Sequence, residues 1–313
     1  MSPLSKVASS AAGTYNPDPV CGKVGGMAIL SVNSHVALGH VGNSATVFPL
    51  QCLGYEVWPV HTALYSNHPG HRHWRGHVVE ADRVAQVLEG VAASDGFADV
   101  EAVLTGYLGS VETGEAALTA VAAVKTASPT ALYCCDPVIG DADEGRYVDD
   151  TLARWFAERA VAVADVVTPN GFELAYLSGR PVGSETKALA AAHTLLAHGP
   201  RLVVATSIAT DADAGATIST LAVAADAAWR VTTPKLASRA KGAGDVLAAL
   251  FVGRYLKTGD VATALGLSVS SVFGLIAATG SIPGGGQSRD LALVINGREI
   301  TQPATRFLAE PVG

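Results

Sequence analysis

Residues 241–252 read Lys-Gly-Ala-Gly-Asp-Val-Leu-Ala-Ala-Leu-Phe-Val, a turn of small residues that runs straight into an apolar helix. Two glycines let the backbone turn sharply and aim several N–H groups into one concavity. The helix begins there with the positive end of its dipole, so the turn can hold an anion. Asp245 at the lip would repel a plain phosphate. It is well placed to orient a hydroxyl that attacks one, and to take its proton. Taken alone, these residues favour a plainer role, in which Asp245 only offsets the helix dipole. The rest of the chain reverses that balance.

Outward from this turn, short apolar runs alternate with helical ones. Residues 27–32, 57–60, 102–105, 131–135, 166–167 and 202–205 read as buried strands. Residues 43–53, 81–93, 112–126, 151–164 and 186–197 read as helices, and Asn170 opens another. Asn43 or Ser44 is expected to cap the first, and Gly54 to end it. Residues 61–76 form a loop rich in His and Gly. A hairpin is expected at 217–224 and 228–232, long helices at 243–258 and 261–279, and a final strand or helix at 290–296. Such alternation means an α/β fold, a mostly parallel sheet with helices on both faces. Ligands bind such sheets outside the carboxyl ends of the strands. That rule gathers Ser34, His35, Tyr107, Asp136, Asn170 and Thr206 along one rim with Asp245.

Composition narrows the classes. The 313 residues are 49% hydrophobic, ample for a large core, and the simpler expectation is one domain over 27–313. A net charge of −7 without a basic cluster argues against nucleic acid or anionic membrane as partner. Charges at helical spacing interrupt the Ala-rich stretches, so no segment is expected to span a membrane. Cys21, Cys52, Cys134 and Cys135 show no paired spacing and read as small hydrophobes, which fits a reducing cytoplasm. Residues 1–26 lack a long apolar stretch and read as a flexible tail rather than a secretory signal.

Several clusters carry chemistry. Gly39 and Gly42 permit a loop close to a ligand, and Ser34 offers a hydroxyl for a ring nitrogen or phenolic oxygen; an ordinary loop and helix cap would look the same. Five of nine histidines fall between His61 and His77. They come with Pro69, Gly70, Arg72 and Arg75 and no thiol or carboxylate, which favours a flap over a substrate, His68 nearest it, above a zinc site. Asp136 follows a buried strand and either contacts a metal–nucleotide or caps a turn before Pro137. Asn170 and Glu173, at i and i+3, share one helix face. They form a helix cap, an oxygen site for Mg²⁺, or both.

These blocks together resemble the pyridoxal kinases of the ribokinase superfamily, from about Ile29 to the C-terminus. The matching stretches are S-V-N-S-H-V-A-L-G-H-V-G-N (31–43), F-P-L-Q-C-L-G-Y-E-V-W (48–58), S-N-H-P-G (66–70), L-T-G-Y-L-G-S (104–110), C-D-P-V-I-G-D (135–141), T-P-N-G-F-E-L-A-Y-L-S-G (168–179) and G-A-G-D (242–245). The resemblance implies a ribokinase-like three-layer sandwich and ATP-dependent phosphorylation of the 5′-hydroxymethyl of pyridoxal, with pyridoxine and pyridoxamine as further substrates. It implies Asp245 as base and the backbone of Gly242, Ala243 and Gly244 as anion hole. Ser34, Tyr65, His68 and Tyr107 would face the vitamer. Asp136, Asp141, Thr168, Asn170, Glu173 and Thr206 would line the nucleotide side, with Asp136 and Glu173 toward the metal. Mg²⁺ with ATP, a monovalent cation such as K⁺, and a homodimer complete the implied picture. The chain departs from the pattern at Pro69, where threonine is usual, at His71 in place of an aromatic, at Asn33 where glutamine is common, and at Thr206 where some members have lysine. The alternatives are a hydroxymethylpyrimidine or other small-alcohol kinase on the same fold, and a weakly active pyridoxal-binding protein.

Overall fold

Residues Ala28–Val36 form β1, buried along nearly its whole length. A strand apolar on both sides has to lie inside a sheet covered on both faces. It pairs in parallel with β2 (Glu56–Tyr65) on one side and β4 (Val100–Thr105) on the other. The parallel run continues through β5 (Leu132–Cys135), β8 (Val166–Val167) and β9 (Leu202–Ala209). Antiparallel strands finish both edges: β3 (Gly76–Val78) beside β2, and β10 (Thr217–Val223), β11 (Ala228–Pro234) and β12 (Glu310–Pro311) beyond β9. The order is β12-β11-β10-β9-β8-β5-β4-β1-β2-β3, with a separate ribbon of β6 (Gly140–Asp141) and β7 (Gly145–Arg146). This computed structural model describes residues 27–94, 96–209, 215–238, 240–282 and 290–312. The expected tail, Cys21 included, lies outside the described residues.

Two cores sandwich the sheet. On one face lie α2 (Ala81–Ala93), α3 (Val111–Ala127), α4 (Asp150–Trp155), α5 (Val161–Val163), α6 (Gly171–Ser178) and α7 (Glu185–Leu196). On the other lie α1 (Asn43–Cys52), α8 (Ala243–Thr258), α9 (Val261–Ser281) and α10 (Arg298–Thr301). The expected three-layer α/β sandwich is the fold found. Cys134 and Cys135 are fully buried in it and Cys52 half-buried, all as free thiols.

Tertiary contacts changed several local expectations. Asn43 does not cap α1. Gly42 occupies that position, and the Asn43 amide donates to the carbonyls of Asn33 and Val60, both 3.0 Å away, stitching β1 to β2. Pairing with β1 and β3 extends β2 to Tyr65, so the flap is only 66–75. The helix expected at 151–164 is interrupted by a π-helical stretch at Phe156–Ala160. Residues 293–297 form a turn, neither the strand nor the helix expected there. Contrary to expectation, α9 is long and apolar enough to cross a membrane, with a mean hydropathy of 1.9 over its most apolar window. That window is 56% buried, and α9 packs on α8, β10 and β11, which makes it a core helix.

At the amino end of the parallel strands, opposite the rim, Asp165 clamps the sheet. It accepts from Lys125 Nζ (2.6 Å), the Tyr133 N–H (2.7 Å) and Arg201 Nη2 (2.7 Å). Burial works against its charge, but these three donors outweigh it and hold its pKa below the usual aspartate range. A depressed folded-state pKa contributes stability that is present above the ordinary aspartate pKa and is lost as pH falls through the folded value. Asp165→Ala orphans the buried Tyr133 N–H and is expected to destabilise by about 2 kcal/mol at pH 7. In urea titrations, the gap from wild type is expected to close in acid.

Candidate active site

The turn ahead of α8 is shaped by close approach. Gly242 has φ +91°, and a Cβ there would collide with the carbonyl oxygen of His40. Nothing lies within 4 Å of a Cβ built on Gly244, and residues 242–245 line the cleft. Asp245 stands in that first turn. Its Oδ1 accepts from Asn33 Nδ2 at 3.0 Å, and its carboxylate takes the Gly42 N–H. Burial pushes its pKa above the ordinary value, and those two donors oppose the shift.

Across the opening, Asp136 directly follows β5, 8% exposed, with Oδ1 accepting from Thr168 Oγ1 at 2.8 Å. Its pKa is pushed up, first by burial and then by the negative charge of Asp245. Asp136 is thus a buried acid facing the cleft, a side chain that could hold a divalent cation bound mainly through phosphate oxygens. Among the described residues, no three His, Cys, Asp or Glu side chains converge as a metal cage.

Glu173 takes the cap role in full. Its Oε1 accepts from the Ile139 (3.0 Å) and Gly140 (3.3 Å) N–H groups, and its Oε2 from Asn170 N–H (2.9 Å). Asn170 Oδ1 returns the contact to the Glu173 N–H at 3.0 Å, completing a capping box. Burial and the neighbouring Asp136 push its pKa up. Asp141 is a bracket for the β6–β7 ribbon, accepting from Asp143 and Glu144 N–H groups and from Tyr147. It also accepts from Lys241 Nζ at 2.9 Å, which lies 3.1 Å from Glu144 as well, so the ribbon is tied to the turn before Asp245. The Thr206 N–H bonds the Pro169 carbonyl (2.9 Å), and Ser207 beside it has φ +58°, a left-handed conformation unusual for serine.

The other end of the cleft is aromatic. The Tyr65 and Tyr107 hydroxyls share a hydrogen bond, and burial followed by Tyr65 raises the Tyr107 pKa. Trp74 meets Tyr65 edge-on at 5.4 Å. In the flap, His68 Nδ1 accepts from the Gly70 N–H at 2.9 Å, bending the chain tightly around Pro69. Burial lowers the His68 pKa, favouring neutral imidazole. His71 sits 3.1 Å from Asp290.

One cleft of about 1090 Å³ is lined by all the expected site residues: Ser34, Tyr65, His68, Tyr107, Asp136, Asp141, Thr168, Asn170, Glu173, Thr206 and 242–245. His35 turns away, to stack on His61 with its Nδ1 3.0 Å from Ser44 Oγ. Three contributors had no structural role assigned from the sequence. Asn33 is buried beneath the cleft and holds Asp245. Ser207 adds a strained, left-handed residue where the pairing of β9 with β10 slips register. Val269, Phe273 and Ile276 of α9 add an apolar wall, where the all-round apolar pattern of that helix was the available signal.

Comparison with known proteins agrees with this geometry. The family model described as phosphomethylpyrimidine kinase matches residues 46–285. A pyridoxal kinase PdxY from Corynebacterium diphtheriae is 41% identical over 286 residues, covering 91% of this chain and 100% of the relative. Another from Rubrobacter xylanophilus is 46% identical over 284 residues, covering 90% and 97%. The structure of pyridoxal kinase from Leishmania donovani with ADP and pyridoxamine superposes with a TM-score of 0.85 at 30% identity, covering 91% of this chain and 99% of that one. With so much of the chain matched, this protein belongs to the phosphomethylpyrimidine kinase family, among its pyridoxal kinases.

Proposed function

We propose that this enzyme transfers the γ-phosphoryl group of ATP to the 5′-hydroxymethyl oxygen of pyridoxal, and of pyridoxine and pyridoxamine, releasing ADP and the 5′-phosphate. The observation that carries the reading is Asp245, fixed in the first turn of α8 in a cleft with an aromatic, hydroxyl-bearing end and a polar strand-end side. Ser34, Tyr65, Tyr107 and His68 would bind the vitamer and exclude water, which otherwise competes as acceptor. Thr168, Asn170, Thr206 and the Asp141 ribbon would border the nucleotide. Asp245 orients the alcohol and accepts its proton as the new P–O bond forms and the bond to ADP breaks. The N–H groups of residues 242–244 face the charge that builds on the moving phosphoryl group. Mg²⁺, when bound, neutralises phosphate charge, and Asp136 is the side chain fitted to hold it, with Glu173 as its buried support. Family membership also carries the expectations of a monovalent cation such as K⁺, a homodimer and a cytoplasmic setting.

Pro69 in the flap, together with the family's description, keeps hydroxymethylpyrimidine as the rival acceptor. Parallel assays should give a kcat/KM for pyridoxal at least about tenfold above that for hydroxymethylpyrimidine, the scale on which pocket contacts discriminate. A preference for the pyrimidine would overturn the assignment. Bound vitamer without ATP turnover would show a binding protein instead.

A further inference from the structure

We infer that Asn33 is a positioning residue for the base, fixing one oxygen of Asp245 and keeping the carboxylate ionised while its other oxygen faces the acceptor alcohol. This rests on the phosphoryl-transfer reading above. Asn33 is 3% exposed, and its orientation is not adjustable. Its Oδ1 accepts two backbone N–H groups, Ser34 at 2.8 Å and Tyr107 at 2.9 Å. An amide oxygen so occupied leaves only the Nδ2 edge to meet Asp245, at 3.0 Å. Gly106 is part of the device, because a Cβ there would overlap the Asn33 amide. The glycine in T-G-Y-L-G therefore exists to let the asparagine in. The same side chain joins the end of β1, the start of the segment after β4 and the first turn of α8, so base, Ser34 and Tyr107 keep one register.

An amide donor on a carboxylate favours its charged form, against the burial that disfavours it. Four other titratable groups lining the cleft do not supply that help. Asp136 repels the charge of Asp245, Glu173 holds backbone donors, Lys241 is engaged by Asp141 and Glu144, and burial favours neutral His68.

Asn33→Asp tests this with little change of shape. The new carboxylate can still accept from Ser34 and Tyr107, but it presents oxygen to Asp245, so the pair must share a proton. The acidic limb of kcat/KM is expected to move up by about one pH unit, the scale of one lost charged hydrogen bond. Turnover at pH values below the limb should fall about tenfold, and recover as pH rises above it, as a shift of that size dictates. The KM for ATP should stay within about twofold, because uniform binding is untouched. A merely structural role would lower thermal stability without moving the limb. If Asn33→Asp does not accumulate as folded protein, Asn33→Ala, whose side chain has no donor, is expected to move the limb the same way. An unmoved limb in a folded, active variant overturns the inference and leaves the kinase reading standing. A wild-type protein that does not turn over pyridoxal sinks both.

Discussion

Asp245→Asn should lose at least about 10² in turnover with pyridoxal, the usual scale for removing a general base. The substitution preserves shape, so it isolates the chemistry. Asn33 and Gly42 can still hydrogen-bond an amide oxygen at 245, and the first turn of α8 stays intact. Stability should equal or exceed that of wild type, because an unfavourable buried charge near Asp136 is removed. The two readouts thus separate in sign, and a misfolded variant cannot imitate the result. In wild type, the acidic limb of kcat/KM should lie above the ordinary aspartate range, since burial raises the pKa of Asp245. Asp245→Asn should lack that limb. Turnover within fivefold of wild type, with a normal melting curve, would remove Asp245 from its role.

Gly242→Ala should be nearly as damaging, for a geometric reason. At φ +91° any Cβ is strained, and here it also strikes the backbone oxygen of His40, which has no rotamer to escape into. The turn must shift, and the amides of 242–244 shift with it. Displacing one anion-hole donor typically lowers kcat by about 10²–10³, and the left-handed backbone adds about 1–2 kcal/mol of instability. Gly244→Ala is the contrast. Its Cβ meets nothing within 4 Å and sits in a helix, so stability should hold or rise by up to about 1 kcal/mol. Melting temperatures of the two variants give the comparison, and equal values would show that the turn is not held against the 37–42 loop.

The turn ahead of α8 was legible in the chain because its physics is local. Glycine spacing and the apolar run after Asp245 need no distant residue to make sense. Glu173 was legible only as a pair of possibilities, since three backbone donors from two segments decide that its carboxylate serves the cap. His35 was misplaced on the rim because neither the stacking of His61 nor the reach of Ser44 can be seen from strand alternation. The turn at 293–297 shows the same limit, as its residues are apolar enough for a regular element that no neighbour there completes.

What the sequence determined by itself was the layering, the rim and the acid beside a helix start, all products of short-range patterning and covalent connectivity. What only tertiary structure decided was the orientation of groups around that acid. The Asn33 amide, the space left by Gly106, the clash that keeps residue 242 a glycine and the hold of Asp141 and Glu144 on Lys241 bring together segments up to 212 residues apart. Hydrogen bonds and close contacts depend on ångström-scale distances between such segments, and no pattern along one chain encodes those distances directly.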